Sequence, residues 1–135
     1  MDPAIARALQ EADELELITT GRVTGRPHAV RVQFAYRDGI VWLRTGGRPS
    51  SADATGVRRG PSRRTSDWLR NLEHEPAARV RIGANDVRVR YVPSADPAAD
   101  LRRAVDLLRA KYGSEWVGDW YLDTGRIPVR LRLEE

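Results

Sequence analysis

The sequence predicts an α+β fold, mainly β: a six-stranded antiparallel barrel, closed or split, with three flanking helices. Three observations predict it. Short runs of alternating apolar and polar residues recur along the chain and are joined by hairpin signals. Helical patterns occur in three places, each opened by a capping residue. The order of elements is helix, three strands, helix, two strands, helix, one strand; with no strand–helix–strand repeat, a doubly wound parallel sheet is disfavoured. The 135 residues fit one domain, 1–135. A domain of that size buries about two-thirds of its unfolded surface and needs no covalent staple.

Asp2-Pro3 opens the first helix, with aspartate as cap and proline in the first turn. Ile5, Leu9 and Ala8 or Ala12 give that helix a narrow apolar stripe. "LELITT" (15–20) reads as a strand, and "GRVTGRP" (21–27) as a loop punctuated by two glycines. "HAVRVQFAY" (28–36) alternates, with His28, Val30, Val32, Phe34 and Tyr36 on one face and Ala29, Arg31, Gln33 and Ala35 on the other. "RDG" is a tight turn into the third strand, 40–45. Residues 46–63 are rich in Gly, Pro, Ser and Arg, lack periodicity and form a long basic loop. "SDWLRNLEHEP" is a short helix capped by Ser66 and stopped by Pro76. Strands 77–83 and 86–92 flank "AND", a hairpin signal. Asp96-Pro97 repeats the Asp-Pro helix start; Leu101, Val105, Leu108 and Tyr112 share a face of this third helix, and Gly113 ends it. An aromatic connector then leads to the last strand, 126–134.

Composition narrows the chemistry. The chain has no cysteine and only His28 and His74, which excludes disulfides, thiol catalysis and thiolate metal sites and disfavours a histidine metal site. No secretory leader and no long apolar run is visible, so the expected setting is cytoplasmic, with no integral membrane segment. The net charge is +4 and the sequence pI about 10.1. Of the 23 basic residues only Lys111 is lysine. Arginine at this density follows from codon bias, or from recognition of phosphate and carboxylate groups that match the guanidinium fork. Arg79, Arg81, Arg88, Arg90, Arg130 and Arg132 all fall on the polar phase of their strands, which reads as a solvated outer face or as a cationic wall for an anion.

"GRVTGRP" is the sharpest motif. It is not a P-loop, because no Lys-Ser/Thr pair follows, and it is not a dinucleotide fingerprint, because its glycines are four apart and it opens a strand. A glycine-rich turn can still cradle an anion on its backbone N–H groups. Arg22 and Arg26 would add charge there and Thr24 a hydroxyl; a plain connection is the alternative. "RRGPSRRTSDW" (58–68) is a second basic cluster, set before a helix N-terminus that suits phosphate. Trp68 is a core anchor or an aromatic wall against a flat ring, and Asn71 a ligand donor or a cap. No nucleophile–base–acid set or carboxylate pair is legible, so any enzyme chemistry here falls to a bound cofactor.

Together, "LITTGRVTGRPHAVRVQFAYRDGIVWLRT", "SDWLRNLEHEPAARVRIG", "LLRAKY" and "GRIPVRLRL" resemble the deazaflavin-dependent nitroreductase and quinone-reductase family, within the split β-barrel flavin-binding group that includes pyridoxamine phosphate oxidase. The resemblance covers residues 14–133 apart from the 46–63 loop. It implies coenzyme F-420 as cofactor, with FMN as the alternative, and hydride transfer to a quinone, nitroaromatic or activated enone. By position it implies a cofactor site of Arg22, Thr24, Arg26, His28, Val30, Arg31, Arg64, Thr65, Ser66, Trp68 and Asn71. Tyr36 and Tyr121 are the candidate proton donors. Val23 and His28 depart from the pattern, standing where relatives more often carry positive charge. A homodimer and a small-molecule electron acceptor are the expected partners, without nucleic acid. An FMN-binding split-barrel protein and a non-enzymatic basic binding module are the alternative functions.

Overall fold

The computed structural model describes residues 3–44, 67–113 and 128–134. Three helices flank one sheet: α1 (Pro3–Glu11), α2 (Asp67–His74) and α3 (Pro97–Tyr112). The strands are β1 (Glu14–Thr20), β2 (Pro27–Gln33), β3 (Ala35–Arg37), β4 (Ile40–Arg44), β5 (Ala77–Ile82), β6 (Asn85–Tyr91) and β7 (Pro128–Leu133). Every described pairing is antiparallel, in the order β2-β1-β5-β6-β7-β4-β3. β2 and β3 follow one another in the chain yet lie at opposite ends of this order. The sheet must therefore curl until its ends meet at Phe34, which makes it a split barrel.

The seven strands correct the expected six. The predicted strand 28–36 is broken at Phe34, between the last β1 partner, Gln33, and the first β4 partner, Ala35. The inward phase runs on through it, with Val30, Val32, Phe34 and Tyr36 all in or against the core, and Ala35 is buried as well. Side chains from α3 take up the freed main-chain groups: Phe34 N–H donates to the Tyr112 hydroxyl (3.2 Å), and its carbonyl accepts from Lys111 Nζ (3.0 Å). A second correction concerns the β5–β6 hairpin. Its turn is Gly83-Ala84, not "AND", because Gly83 supplies the left-handed φ of 58° and Asn85 already pairs with Ile82.

Other local signals are realised as read. Pro97 opens α3 behind the cap Asp96, whose carboxylate accepts from Ala99 N–H (3.3 Å). Asp38 and Gly39 both adopt positive φ, 52° and 81°, as the tight β3–β4 turn requires. Leu15, Leu17, Val41, Leu43, Val80, Val89, Val129 and Leu131 line the inside of the curl, closed by Leu9 of α1 and by Trp68, Leu69 and Leu72 of α2. Each such side chain contributes about 1.5–3 kcal/mol by leaving water. α3 packs on the opposite face, over β3, β4 and β7, and buries Leu101, Ala104, Val105 and Leu108. The predicted arginines lie on β5 (Arg79, Arg81), β6 (Arg88, Arg90) and β7 (Arg130, Arg132).

Candidate functional site

β1 ends on Thr19 and Thr20, and Gly21–Arg26 turns the chain into β2, with Thr20 opposite Pro27. Two main-chain bonds close the turn, Gly21 N–H to the Arg26 carbonyl (2.8 Å) and Gly25 N–H to the Gly21 carbonyl (2.9 Å). Thr24 Oγ1 accepts from Arg26 N–H (3.1 Å). Gly25, at φ 74°, occupies a conformation that a Cβ would strain. Gly21 is required for space. A Cβ there would lie 2.5 Å from His28 Nε2 and 3.0 Å from Thr24 Oγ1. The imidazole and the hydroxyl thus close over a bare stretch of backbone. Val23 stands at the tip, 87% exposed.

This turn is anchored from beneath. Asn71 Oδ1 accepts from the Arg22 guanidinium at 2.8 Å and from Arg22 N–H at 3.2 Å. The same amide donates to Thr19 Oγ1 at 3.1 Å. Asn71 and Thr19 are the two buried polar residues among those described, 5% and 1% exposed. One carboxamide therefore joins helix, strand and loop. Its neighbours Trp68, Leu69 and Leu72 lock α2 in the core, so the amide is pre-oriented. A buried amide left without its partners costs about 1–3 kcal/mol, which is why this arrangement resists rearrangement.

The structure brings Arg22, Thr24, Arg26, His28 and Asn71 together at one end of the barrel. Val30 lies further along β2, opposite Leu17 and packed against the core. Arg31 lies opposite Glu16 on the other face of the sheet, where its guanidinium is 3.6 Å from Glu14. Trp68 is 9% exposed and belongs to the core cluster. Tyr36 is half-buried on β3, opposite Val41. Arg64, Thr65, Ser66 and Tyr121 lie outside the described residues. Sequence reasoning missed Thr19, although a signal was available: it continues the inward phase of Leu15 and Leu17, and a polar residue in a core phase calls for a buried partner.

Three of these strand arginines are paired with carboxylates on the outer face. Arg81 meets Glu16 at 2.9 Å, Arg79 meets Asp86 at 3.4 Å and Arg90 meets Glu134 at 3.5 Å. These pairs are half-exposed, as on a solvated face. A separate cleft of about 410 Å³ lies between α3 and the β3–β4 turn, lined by Arg37, Trp42 and Arg103 among others. It sits at the far end of the β2–β3 path from the glycine turn. Among the described residues there is no group of three or more His, Asp or Glu side chains that could hold a metal, and no helix is long and apolar enough to cross a membrane.

Known proteins resemble this architecture. A 5-nitroimidazole antibiotic resistance protein from Bacteroides thetaiotaomicron matches 99% of this chain and 81% of its own, with 12% identity and a TM-score of 0.70. An F-420-H2 dependent reductase matches 90% of this chain and 94% of its own, with 15% identity and a TM-score of 0.60. An FAD-binding protein from Mesorhizobium loti matches 98% and 87%, with 15% identity and a TM-score of 0.61. At such identities the likeness shows the fold alone. No curated protein matches significantly. The family described as F-420H(2)-dependent quinone reductase matches residues 1–134. The chain therefore belongs to the F-420H(2)-dependent quinone reductase family and is an oxidoreductase whose cofactor is coenzyme F-420.

Proposed function

We propose that this protein uses reduced coenzyme F-420 to reduce a quinone, a nitroaromatic or an activated enone, and that the turn after β1 holds the cofactor's anionic tail. The observation that carries the reading is the anchoring of Arg22 by the buried Asn71–Thr19 pair. The anchoring holds a cation at the mouth of a glycine turn. The donor set fits the group: two guanidiniums and a hydroxyl suit phosphate and carboxylate oxygens, and the backbone at Gly21 and Gly25 carries no Cβ.

When bound, F-420H2 supplies a hydride from its ring. The chain's own part is to bind, orient and exclude water. Arg22 and Arg26 neutralise the tail, with Arg64, Thr65 and Ser66 expected to extend that contact. Thr24 and His28 border the turn. Val30 on β2 presents an apolar edge to the ring, and Arg31 belongs to the same strand on its opposite face. Trp68 supports the site from the core, through α2. Tyr36 and Tyr121 are the side chains proposed to deliver a proton to the acceptor. A cytoplasmic homodimer completes the reading, and light scattering of the purified protein measures its mass.

Fluorescence titration with F-420 and with FMN tests the proposal. Micromolar or tighter binding of F-420, weakened by Arg22→Ala and by Trp68→Ala, is the expected result. Tight FMN binding with no F-420 binding would favour the FMN reading, which the FAD-binding neighbour makes worth testing. Unchanged affinity in both variants would remove the site assignment even if F-420 binds.

A further inference from the structure

The break at Phe34 is the joint of the fold. It separates β2, the strand that continues from the glycine turn, from the β3–β4 hairpin at the other end of the sheet order. Phe34 is fully buried, and its N–H and carbonyl fall outside both ladders. Buried main-chain groups require partners. Here all the described partners come from the last two residues of α3. The Tyr112 hydroxyl accepts from Phe34 N–H at 3.2 Å, and its one proton is shared between the carbonyl of Asp13 and that of Phe34, the latter at 3.1 Å. Lys111 Nζ donates to the Phe34 carbonyl at 3.0 Å and sits 3.6 Å from the centroid of the Phe34 ring. Asp13 immediately precedes β1, so one hydroxyl ties the start of β1 to the end of β2, next to the terminal pair Glu14–Gln33.

That tie matters because a strand slip of one residue exchanges its two faces. It would turn Val30 off the core face and bring Arg31 onto it. The chain uses its only lysine here, amid otherwise exclusive arginine. A compact ammonium can aim one N–H at a carbonyl while resting on a ring.

We propose that Lys111 and Tyr112 are positioning residues for β2, acting through Phe34 to hold the register that faces Val30 and Arg31 as the cofactor site needs them. The proposal rests on the reading that the turn after β1 and β2 hold F-420. It goes beyond that reading by assigning control of the strand to the far end of α3.

The test compares Tyr112→Phe, Lys111→Met and Lys111→Arg with Val105→Ala, a substitution at a buried position of α3 more than one helical turn before Lys111. Two readouts are taken, amide hydrogen exchange and the dissociation constant for F-420. Tyr112→Phe and Lys111→Met should speed exchange of the Val32 and Phe34 amides at least tenfold, leaving β6 amides as in the wild type. Each should weaken F-420 binding by about five- to tenfold, as expected for loss of one or two hydrogen bonds. Lys111→Arg, which keeps charge and donor, should recover most of that loss. Val105→Ala should lower thermal stability without selective exchange at β2 or loss of affinity. Unchanged β2 exchange in Tyr112→Phe and Lys111→Met overturns the proposal, and so does an effect on affinity no larger than that of Val105→Ala. The exchange readout needs no cofactor. If the wild type binds no F-420, the functional reading fails, while selective β2 exchange still supports the positioning role and its absence still overturns it.

Discussion

At the turn after β1, Arg22 is held by a buried amide; on the outer face of the sheet, Arg79, Arg81 and Arg90 are held by half-exposed carboxylates. The residue type is the same and the consequence differs. Pairing with Asp or Glu cancels charge, and exposed pairs of this kind contribute at most about 1 kcal/mol. Asn71 is neutral, so its carbonyl oxygen orients the guanidinium without cancelling charge at that contact. The first arrangement yields a soluble surface. The second yields an oriented cation, which is what anion recognition requires. A basic pI is thus a poor guide to where this molecule binds, and the identity of each arginine's partner is a better one.

Breaking the anchored side of this comparison should have the largest effect. Asn71→Leu keeps the volume of the side chain but strands Thr19 Oγ1 and Arg22 N–H. It should cost about 2–3 kcal/mol in denaturant unfolding and weaken F-420 binding more than tenfold. Thr19→Val, which removes only the buried hydroxyl, should cost less and leave Arg22 bound to Asn71. If Asn71→Leu lowers stability but not affinity, the amide is a structural tie and the cation needs no anchor.

Gly21→Ala comes next. Its Cβ would meet the His28 ring at 2.5 Å, so the ring or the turn must shift. Overpacking of this sort costs about 1–3 kcal/mol. His28→Ala should relieve it: in the double variant, unfolding should show most of the loss recovered. A double variant as unstable as Gly21→Ala alone would place the conflict in the backbone instead of the imidazole.

Lys111 offers a contrast of a third kind, a cation held by a carbonyl and a ring. Burial lowers its pKa from 10.5 to about 8, with Asp13 pulling the other way. Glu14 bears on the adjacent Tyr112. The folded chain therefore releases this proton near pH 8, whereas the unfolded chain holds it until about 10.5. Over that window the unfolded state binds more protons, so stability should rise with pH. Tyr91 and Tyr112 act oppositely. Burial raises both above 10.0, helped at Tyr91 by the charge of Glu73 and at Tyr112 by Asp13 and Glu14, so their contribution falls as pH climbs past 10. Denaturation midpoints should increase between about pH 7.5 and about pH 9.5 in the wild type and stay flat in Lys111→Met. A similar rise in both would assign it to another group.

Much of this architecture was legible in the sequence because its causes are local. Alternation in β5 and β6, Asp96-Pro97 at the head of α3 and Asp38-Gly39 in the β3–β4 turn each act within a few residues. The break at Phe34 was not legible, since it depends on a hydroxyl 78 positions away. Alternation in "HAVRVQFAY" continues unbroken through it. The candidate site divides in the same way. The glycine turn announced itself, while the Thr19–Asn71 pair spans 52 positions and appears in sequence only as a polar residue in a core phase. The alternation phase of Arg31, expected from the resemblance as a cofactor contact, places it on the opposite face from Val30, where Glu14 lies 3.6 Å away.

The smallest effect belongs to the outer face. Arg81 is nearest to Glu16, at 2.9 Å, and also lies 3.8 Å from Asp86. Arg81→Gln removes both attractions but exposes nothing, since all three side chains are already solvated. It should cost less than about 1 kcal/mol, shrinking further in salt as screening grows. Affinity for F-420 should change less than twofold, because the charge it removes was already balanced and lies across the sheet from the core-facing edge of β2. A tenfold loss of affinity in Arg81→Gln would break the distinction between the two arginine populations. It would mean that cancelled charge on the outer face still steers the cofactor, and that the anchoring of Arg22 is not what marks the site.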